Sequence, residues 1–202
     1  MLNVFSRPQS AVAPVPAIAA ATAGDASSDV ILVSRIAAGD KLAMQALFAR
    51  HRTPVYRWLL RFVSNETLAE DLLSDVFLDA WRQADRFEGR SSVSTWLMSI
   101  AHFKALSARR RRVDAELDER IETTVADTAN DPEVALQERN RSKRLQSALT
   151  RLSPEHREII DLVYYHEKSI AECAEILCIP AATVKTRMFY ARKRLAELVK
   201  DA

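Results

Sequence analysis

SIAECAEILCIPAATVKTRMFYARKRL, running from Ser169 to Leu195, reads as two helices separated by a break at Cys178-Ile179-Pro180. Ser169 followed three residues later by Glu172 is a capping box. Ile170, Cys173, Ala174 and Leu177 then recur at helical spacing. Beyond the break, Val184, Met188, Ala191, Leu195 and Leu198 step by four, three, four and three, which makes one apolar stripe. Advancing 100° per residue from Val184 sets Ala182, Thr186, Phe189 and Lys193 on the opposite face. Arg187 and Arg194 fall along one flank, Lys185 and Arg192 along the other. The stretch 179–195 holds five basic residues and no acidic one. Small, hydroxyl and aromatic groups between two rows of cations suit a helix lying in a major groove. Its centre meets base edges while its flanks meet the phosphate walls. A charge run can also be only a solvated face, but an exposed Phe189 and the missing acids speak against that here. The reading is a helix-turn-helix with its recognition helix second.

Working outward, Leu152-Ser153-Pro154-Glu155 is a further start signal, with Ser153 as N-cap, Pro154 at the first helical position and Glu155 against the dipole. Residues from about 133 to 198 should then form a compact bundle of four helices. The whole chain of 202 residues has only three glycines and few β-branched runs, so an all-α fold is expected. Net charge is only +2, but it is unevenly placed. Residues 29–112 carry 14 basic and 9 acidic side chains, and residues 141–202 carry 12 and 8. Between them, residues 113–140 carry two basic and nine acidic ones. Two cationic blocks around an acidic one suggest a polyanion held in two places. The acidic stretch has little apolar periodicity and reads as a flexible linker. The Ala/Pro-rich start reads as a disordered tail, although its apolar run has some look of a targeting sequence. No run approaches the ~20 apolar residues that span a bilayer, so no membrane insertion is expected. Two cysteines fit a reducing, cytoplasmic setting. The domain reading is therefore a tail over 1–28, a helical domain over 29–112, the linker over 113–132 and the helix-turn-helix domain over 133–202.

The first helical domain is informative in two places. In Ala69–Arg82, residues Ala69, Leu72, Leu73, Val76, Phe77 and Ala80 form a broad buried stripe. Asp71, Asp75, Asp79 and Arg82 line the other side. Aligned acids repel by a few tenths of a kcal/mol per pair, so a basic or hydrogen-bonding partner would account for them. Further on, Phe87-Glu88-Gly89-Arg90-Ser91-Ser92 has the chemistry of an exposed loop. It leads into a helix over Ser94–Arg112 that ends in four arginines. Trp96 and Phe103 could stack on bases and Arg90 and Ser91 could hydrogen-bond them, although Trp96, Trp58 and Trp81 equally suit core positions. Enzyme signals are absent. His51, His102, His156 and His166 are scattered, no glycine loop cradles phosphate, and Cys173 with Cys178 lacks a second ligand pair. No metal and no cofactor are expected.

The segments RIAAGDKLAMQALFARHRTPVYRWLLRFV and AEDLLSDVFLDAWRQADRFEGRSSVSTWLMSIAHFKALSARRRR resemble region 2 of extracytoplasmic-function (ECF) sigma factors. ALTRLSPEHREIIDLVYYHEKSIAECAEILCIPAATVKTRMFYARKRL resembles their region 4. The resemblance implies an alternative sigma factor, which binds core RNA polymerase and directs promoter-specific initiation without doing chemistry itself. Region 2 would dock on the β′ clamp coiled coil through Asp71, Asp75, Leu78, Asp79 and Arg82. It would hold the opened −10 element with Phe87, Arg90, Ser91, Trp96, Phe103, Arg109 and Arg110, turning one base out of the stack. Region 4 would lie near the β flap and read the −35 element with Lys185, Thr186, Arg187, Phe189, Tyr190 and Arg192. An anti-sigma factor would block both regions, since no sensory domain is present; an acidic linker folding back in cis is the rival device. The chain departs from the family at Phe103, where Asn is common, at Cys178 and Ala182, where Gly is usual, and at Tyr190, where Arg is frequent. A conventional helix-turn-helix regulator with an N-terminal sensor or dimerisation domain is the alternative, and a sigma-like scaffold that binds only protein is a third reading.

Overall fold

The computed structural model describes residues 19–116, 145 and 147–200, and among them every regular element is helical. Seven α-helices follow in order: α1 (Ala19–Ala37), α2 (Lys41–Val63), α3 (Glu66–Gln83), α4 (Val93–Glu116), α5 (Pro154–Tyr164), α6 (Ile170–Leu177) and α7 (Ala181–Lys200). A 3₁₀ turn at Ala84–Arg86 closes α3. The all-α expectation holds. Residues 147–150 are also helical, but most of the first of the four helices foreseen in the C-terminal bundle, like the tail and the acidic linker, lies outside the described residues.

Local chemistry places the helix ends. The Asp40 carboxylate accepts from the Leu42 and Ala43 amides to start α2, and the Asn65 side chain accepts from the Leu68 amide to start α3. Each satisfies donors that a helix start leaves orphaned. Ser153 caps α5 with Pro154 at the first position, and Ser169 with Glu172 closes a full capping box on α6. Both start signals stand where the residue pattern puts them. The helix carrying the arginine run begins one residue before Ser94 and continues to Glu116, past the end expected.

Helices α1–α4 form an N-terminal bundle. Leu47, Val55, Trp58 and Leu59 of α2 meet Ala69, Leu72, Val76 and Phe77 of α3 and Leu97, Met98 and Ala101 of α4, all buried. Phe48 and Phe77 pack edge to face at 4.8 Å. Each buried Val, Leu, Met or Phe among them contributes about 1.5–3 kcal/mol. The stripe read on α3 is thus the core face, with Leu73 half-buried against it. In the C-terminal bundle, Ile159 and Leu162 of α5, Ile176 of α6, and Val184, Ala191 and Leu198 of α7 close a second core.

The turn between α6 and α7 rests on Cys178, which has φ of 52° in the left-handed region. That conformation costs an L-residue about 1–2 kcal/mol, and glycine nothing. Cys178→Gly should therefore stabilise the chain by about 0.5–1 kcal/mol, the gain being trimmed by glycine's larger unfolded-state entropy. Thermal denaturation should show Tm rising by a few degrees; an unchanged or lower Tm would mean that the turn carries no strain. Ala182, the other position where glycine is usual, lies within α7, and no such strain arises there.

Candidate polymerase and promoter surfaces

Three surfaces stand out on the two bundles. On α3, Asp71, Asp75, Leu78 and Arg82 point outward, with Leu78 45% exposed. Asp79 is different: its carboxylate lies 2.7 Å from Lys104 of α4, which also reaches to 4.0 Å from Asp75. The basic partner that the acid stripe calls for is thus supplied in part from within. What remains free for another molecule is a patch of Asp71, Asp75 and Leu78 beside Arg82.

The second surface is the α3–α4 loop with the outer face of α4. Gly89 has φ of +68°, a conformation glycine adopts without strain. Ser92 closes the loop by accepting from the Thr95 amide. Phe87 packs on Trp96 with ring centroids 5.0 Å apart, so Trp96 is half-buried and acts as a platform between core and surface. Trp96, Phe103 and Arg110 are seven residues apart and fall in line along α4. Phe103 is 69% exposed, an unusual place for a large apolar ring unless something covers it. Arg90 pairs with Glu88 at the loop tip. Arg109, adjacent in sequence to Arg110, turns away and lines a cleft with Trp58, Phe62 and Pro154. The structure therefore separates two arginines that the sequence pattern groups together.

The third surface is α7. Val184, Met188, Ala191 and Leu198 are buried while Lys185, Thr186, Phe189, Tyr190, Arg192 and Lys193 are exposed, so the wheel drawn from Val184 holds. Arg187 is half-buried at the flank. Its charge, with that of Arg109, helps keep the Glu155 carboxyl below its ordinary range, after the larger effects of Glu155's own backbone amide and the Ser153 hydroxyl. Phe189 and Tyr190 form an exposed edge-to-face pair at 5.4 Å. The Thr186 hydroxyl donates to the Ala182 carbonyl and keeps its acceptor capacity outward. Tyr190 and Lys193 also border an open cleft with Arg151, His156 and Arg194. Glu197 lines it too and pairs with Arg194 at 3.1 Å, and sequence reasoning misses this cleft because Arg151 and His156 lie about 35 positions from the α7 residues they meet.

Of the two cysteines, Cys178 is exposed at the turn and Cys173 is buried in the C-terminal bundle. Burial, and then the neighbouring Glu172 charge, pushes the Cys173 thiol up to about 11, so it stays protonated and unreactive. No cluster of His, Cys, Asp or Glu suited to a metal is present among the described residues, and none of their helices is long and apolar enough to cross a membrane.

Two family models match the chain: Sigma-70 region 2 over residues 47–114 and Sigma-70 region 4 over residues 142–195. Among curated relatives, the ECF RNA polymerase sigma factor SigW of Bacillus subtilis is 30% identical, over 84% of this chain and 95% of its own. SigM of Mycobacterium tuberculosis is 36% identical, over 85% of each. The chain belongs to the ECF sigma factors of the sigma-70 family. Solved structures agree with that fold. CnrH, in complex with the cytosolic domain of CnrY, matches with a TM-score of 0.63 and 26% identity, over 86% of this chain and 97% of CnrH. The sigma factor RpoE from Bartonella quintana, in complex with the anti-sigma factor NepR, gives 0.64 and 28%, over 77% and 96%. In family terms, α2–α4 fall in the region 2 match and α5–α7 in the region 4 match. The α3 patch and the α4 face are features of region 2, and the α7 face is a feature of region 4.

One titration links the regions. Burial would raise the Glu172 carboxyl, but hydrogen bonds from Thr95 and Ser169 and the charge of Lys168 together lower it to about 2. Its folded value lies below the unfolded 4.5, so the stability it contributes is complete above about 4.5. It should be lost as pH falls toward about 2. Acid titration of Glu172→Gln, which keeps a capping residue, should show a shallower loss of stability between about pH 4.5 and 2 than the parent. Identical profiles would count against this role of Glu172.

Proposed function

We propose that this ECF sigma factor docks on core RNA polymerase through the α3 patch, holds the opened −10 element on α4 and its preceding loop, and reads the −35 element with α7. The observation that carries this reading is one chain bearing an acidic–apolar docking patch and two separate cationic faces with exposed aromatics, in the order region 2 then region 4. Asp71, Asp75, Leu78, Asp79 and Arg82 would face the β′ clamp coiled coil, with Asp79 orienting Lys104. Phe87 and Trp96 would form the platform and Phe103 the exposed stacking surface. Arg90, Ser91 and Arg110 would contribute contacts to the strand, while Arg109, turned to another face of α4, would not share that surface. Lys185, Thr186, Phe189 and Tyr190 would reach −35 bases, with Arg187 and Arg192 on phosphates. Region 4 would sit near the β flap. The chain would perform no catalysis, work in the cytoplasm with polymerase, and be held silent by an anti-sigma factor of the kind that accompanies its structural relatives.

Duplex binding separates this from a conventional helix-turn-helix regulator. The free chain should bind duplex DNA weakly and gain promoter preference only with core; tight binding of a palindrome by the free chain would favour the regulator. Within region 4, Arg187→Ala should weaken −35 binding for all sequences alike and flatten its salt dependence. Thr186→Ala and Phe189→Ala should instead change which −35 bases are preferred. A scan of −35 variants in which Arg187→Ala shifted preference and the other two did not would reverse these roles.

A further inference from the structure

Beside the DNA-facing side of α7 lies a cleft of about 530 Å³ whose walls come from two elements. Tyr190, Lys193, Arg194 and Glu197 form the α7 wall, and Arg151, Ser153 and His156 form the other, from the turn into α5 and its first residues. Arg194 is engaged with Glu197 at 3.1 Å. Arg151 and Lys193 are exposed and make no ion pair among the described residues. Three cations against one carboxylate leave an excess of two positive charges, with His156 counted as neutral.

The wall that carries Arg151 is firmly braced. Residues 147–150 are helical, and Arg151 stands in the turn that follows them. The Arg157 guanidinium ties that turn together by donating to the Leu149, Thr150 and Leu152 carbonyls at 3.1, 2.6 and 3.3 Å. Leu152 is 3% exposed and anchors the turn in the core, while the Ser153 hydroxyl accepts from the His156 amide. Arg151 therefore projects from a fixed backbone, which lowers the ordering cost of using it. On the other wall, the edge-to-face pair with Phe189 supports the Tyr190 ring.

The free groups of the cleft are donors: a guanidinium, an ammonium, and the His156 ring and Tyr190 hydroxyl, which can donate. Its one carboxylate already has a partner. Base edges present donors as well as acceptors, whereas a phosphodiester only accepts, so the cleft suits phosphate. Position selects the source. Lys193 lies seven residues beyond Thr186 on the same line of α7, about 10.5 Å along its axis. The major groove is about 12 Å wide. A helix with Thr186 and Phe189 over base edges thus carries the cleft out to the backbone at the groove's edge.

Given that α7 reads the −35 element, we infer that this cleft clasps a backbone phosphate of promoter DNA beside that element, with Arg151, His156 and Lys193 as its donors. Two of these three come from outside the helix-turn-helix. The contact adds affinity for any sequence and extends the footprint of region 4 past the bases it reads.

The test uses the full chain with core polymerase on promoter duplexes carrying one methylphosphonate, which removes a single phosphate charge, at successive positions flanking the −35 element. For the parent, substitution at one or two adjacent positions should weaken binding roughly fivefold. Arg151→Gln with Lys193→Gln should weaken binding of the unmodified duplex for every −35 sequence alike. It should also lower the slope of log affinity against log salt by about two and lose the sensitivity to those same positions. Both side chains are exposed, and circular dichroism checks that the variant is folded. Parental affinity and salt slope in the folded variant would overturn the clasp. So would a methylphosphonate profile that the variant keeps, or a changed −35 base preference, which would make Lys193 a base reader. Equal DNA binding by both chains, with inorganic phosphate raising the Tm of the free parent alone, would assign the cleft to a free anion instead. Equal DNA binding with polyglutamate held by the parent alone would assign it to an acidic protein surface. No promoter binding by the parent with core would sink the −35 reading itself, and the clasp with it.

Discussion

Asp75→Arg with Leu78→Arg should reduce association with core polymerase by at least a hundredfold while leaving region 2 folded. Both side chains point away from the core of the bundle, so the substitution has little to disturb inside. On the polymerase side it replaces a carboxylate and an apolar contact with two cations. Leaving a charge pair broken in a desolvated contact costs about 2–5 kcal/mol, and the lost Leu78 burial adds about 1.5–3 kcal/mol. At 1.4 kcal/mol per factor of ten, even the low ends of these ranges exceed a hundredfold together. Asp79 is a poorer probe, because its pairing with Lys104 at 2.7 Å ties α3 to α4 and its loss would act on the bundle itself. Sedimentation or co-elution with core measures the effect; parental binding by the folded double variant would place the docking face elsewhere.

Phe103→Ala should impair promoter opening more than promoter binding. The ring stands exposed in line with Trp96 and Arg110, and a base stacked on such a ring is worth about 1–3 kcal/mol. That corresponds to a loss of roughly 5–150-fold in open complex. The loss should appear on duplex templates and shrink on a template already unpaired at −10, where the unstacking cost is removed from the reaction. Permanganate footprinting of open complexes reads this directly. Equal losses on duplex and pre-opened templates would make Phe103 a simple binding contact, and no loss on either would remove it from the −10 surface.

Features set by near neighbours along the chain are legible in the sequence alone. The caps at Ser153 and Ser169, the break after Leu177 and the apolar stripe from Val184 to Leu198 each depend on residues within a few turns of one another. The acid stripe on α3 is legible as a surface, but not its tie to Lys104, which lies on another helix. Arg109 and Arg110 look like one cationic end, although a helix turns adjacent side chains 100° apart and the structure sends them to different faces. The contact between the two bundles is illegible for a stronger reason. Arg61 and His166 are 105 positions apart, and no local pattern marks a half-buried arginine as the partner of an aspartate in another bundle. The cleft of Arg151, His156, Tyr190, Lys193 and Glu197 escapes sequence reasoning in the same way, since it forms only when α5 and α7 pack.

The central claim is that this chain confers promoter choice on core polymerase. Transcription reconstituted from purified core, purified chain and a library of promoter templates tests it most directly. The account predicts discrete transcripts that require the chain, start downstream of paired −35 and −10 elements, and disappear with Asp75→Arg and Leu78→Arg. Transcripts identical with and without the chain, or specific duplex binding by the chain that never alters where polymerase starts, would contradict it.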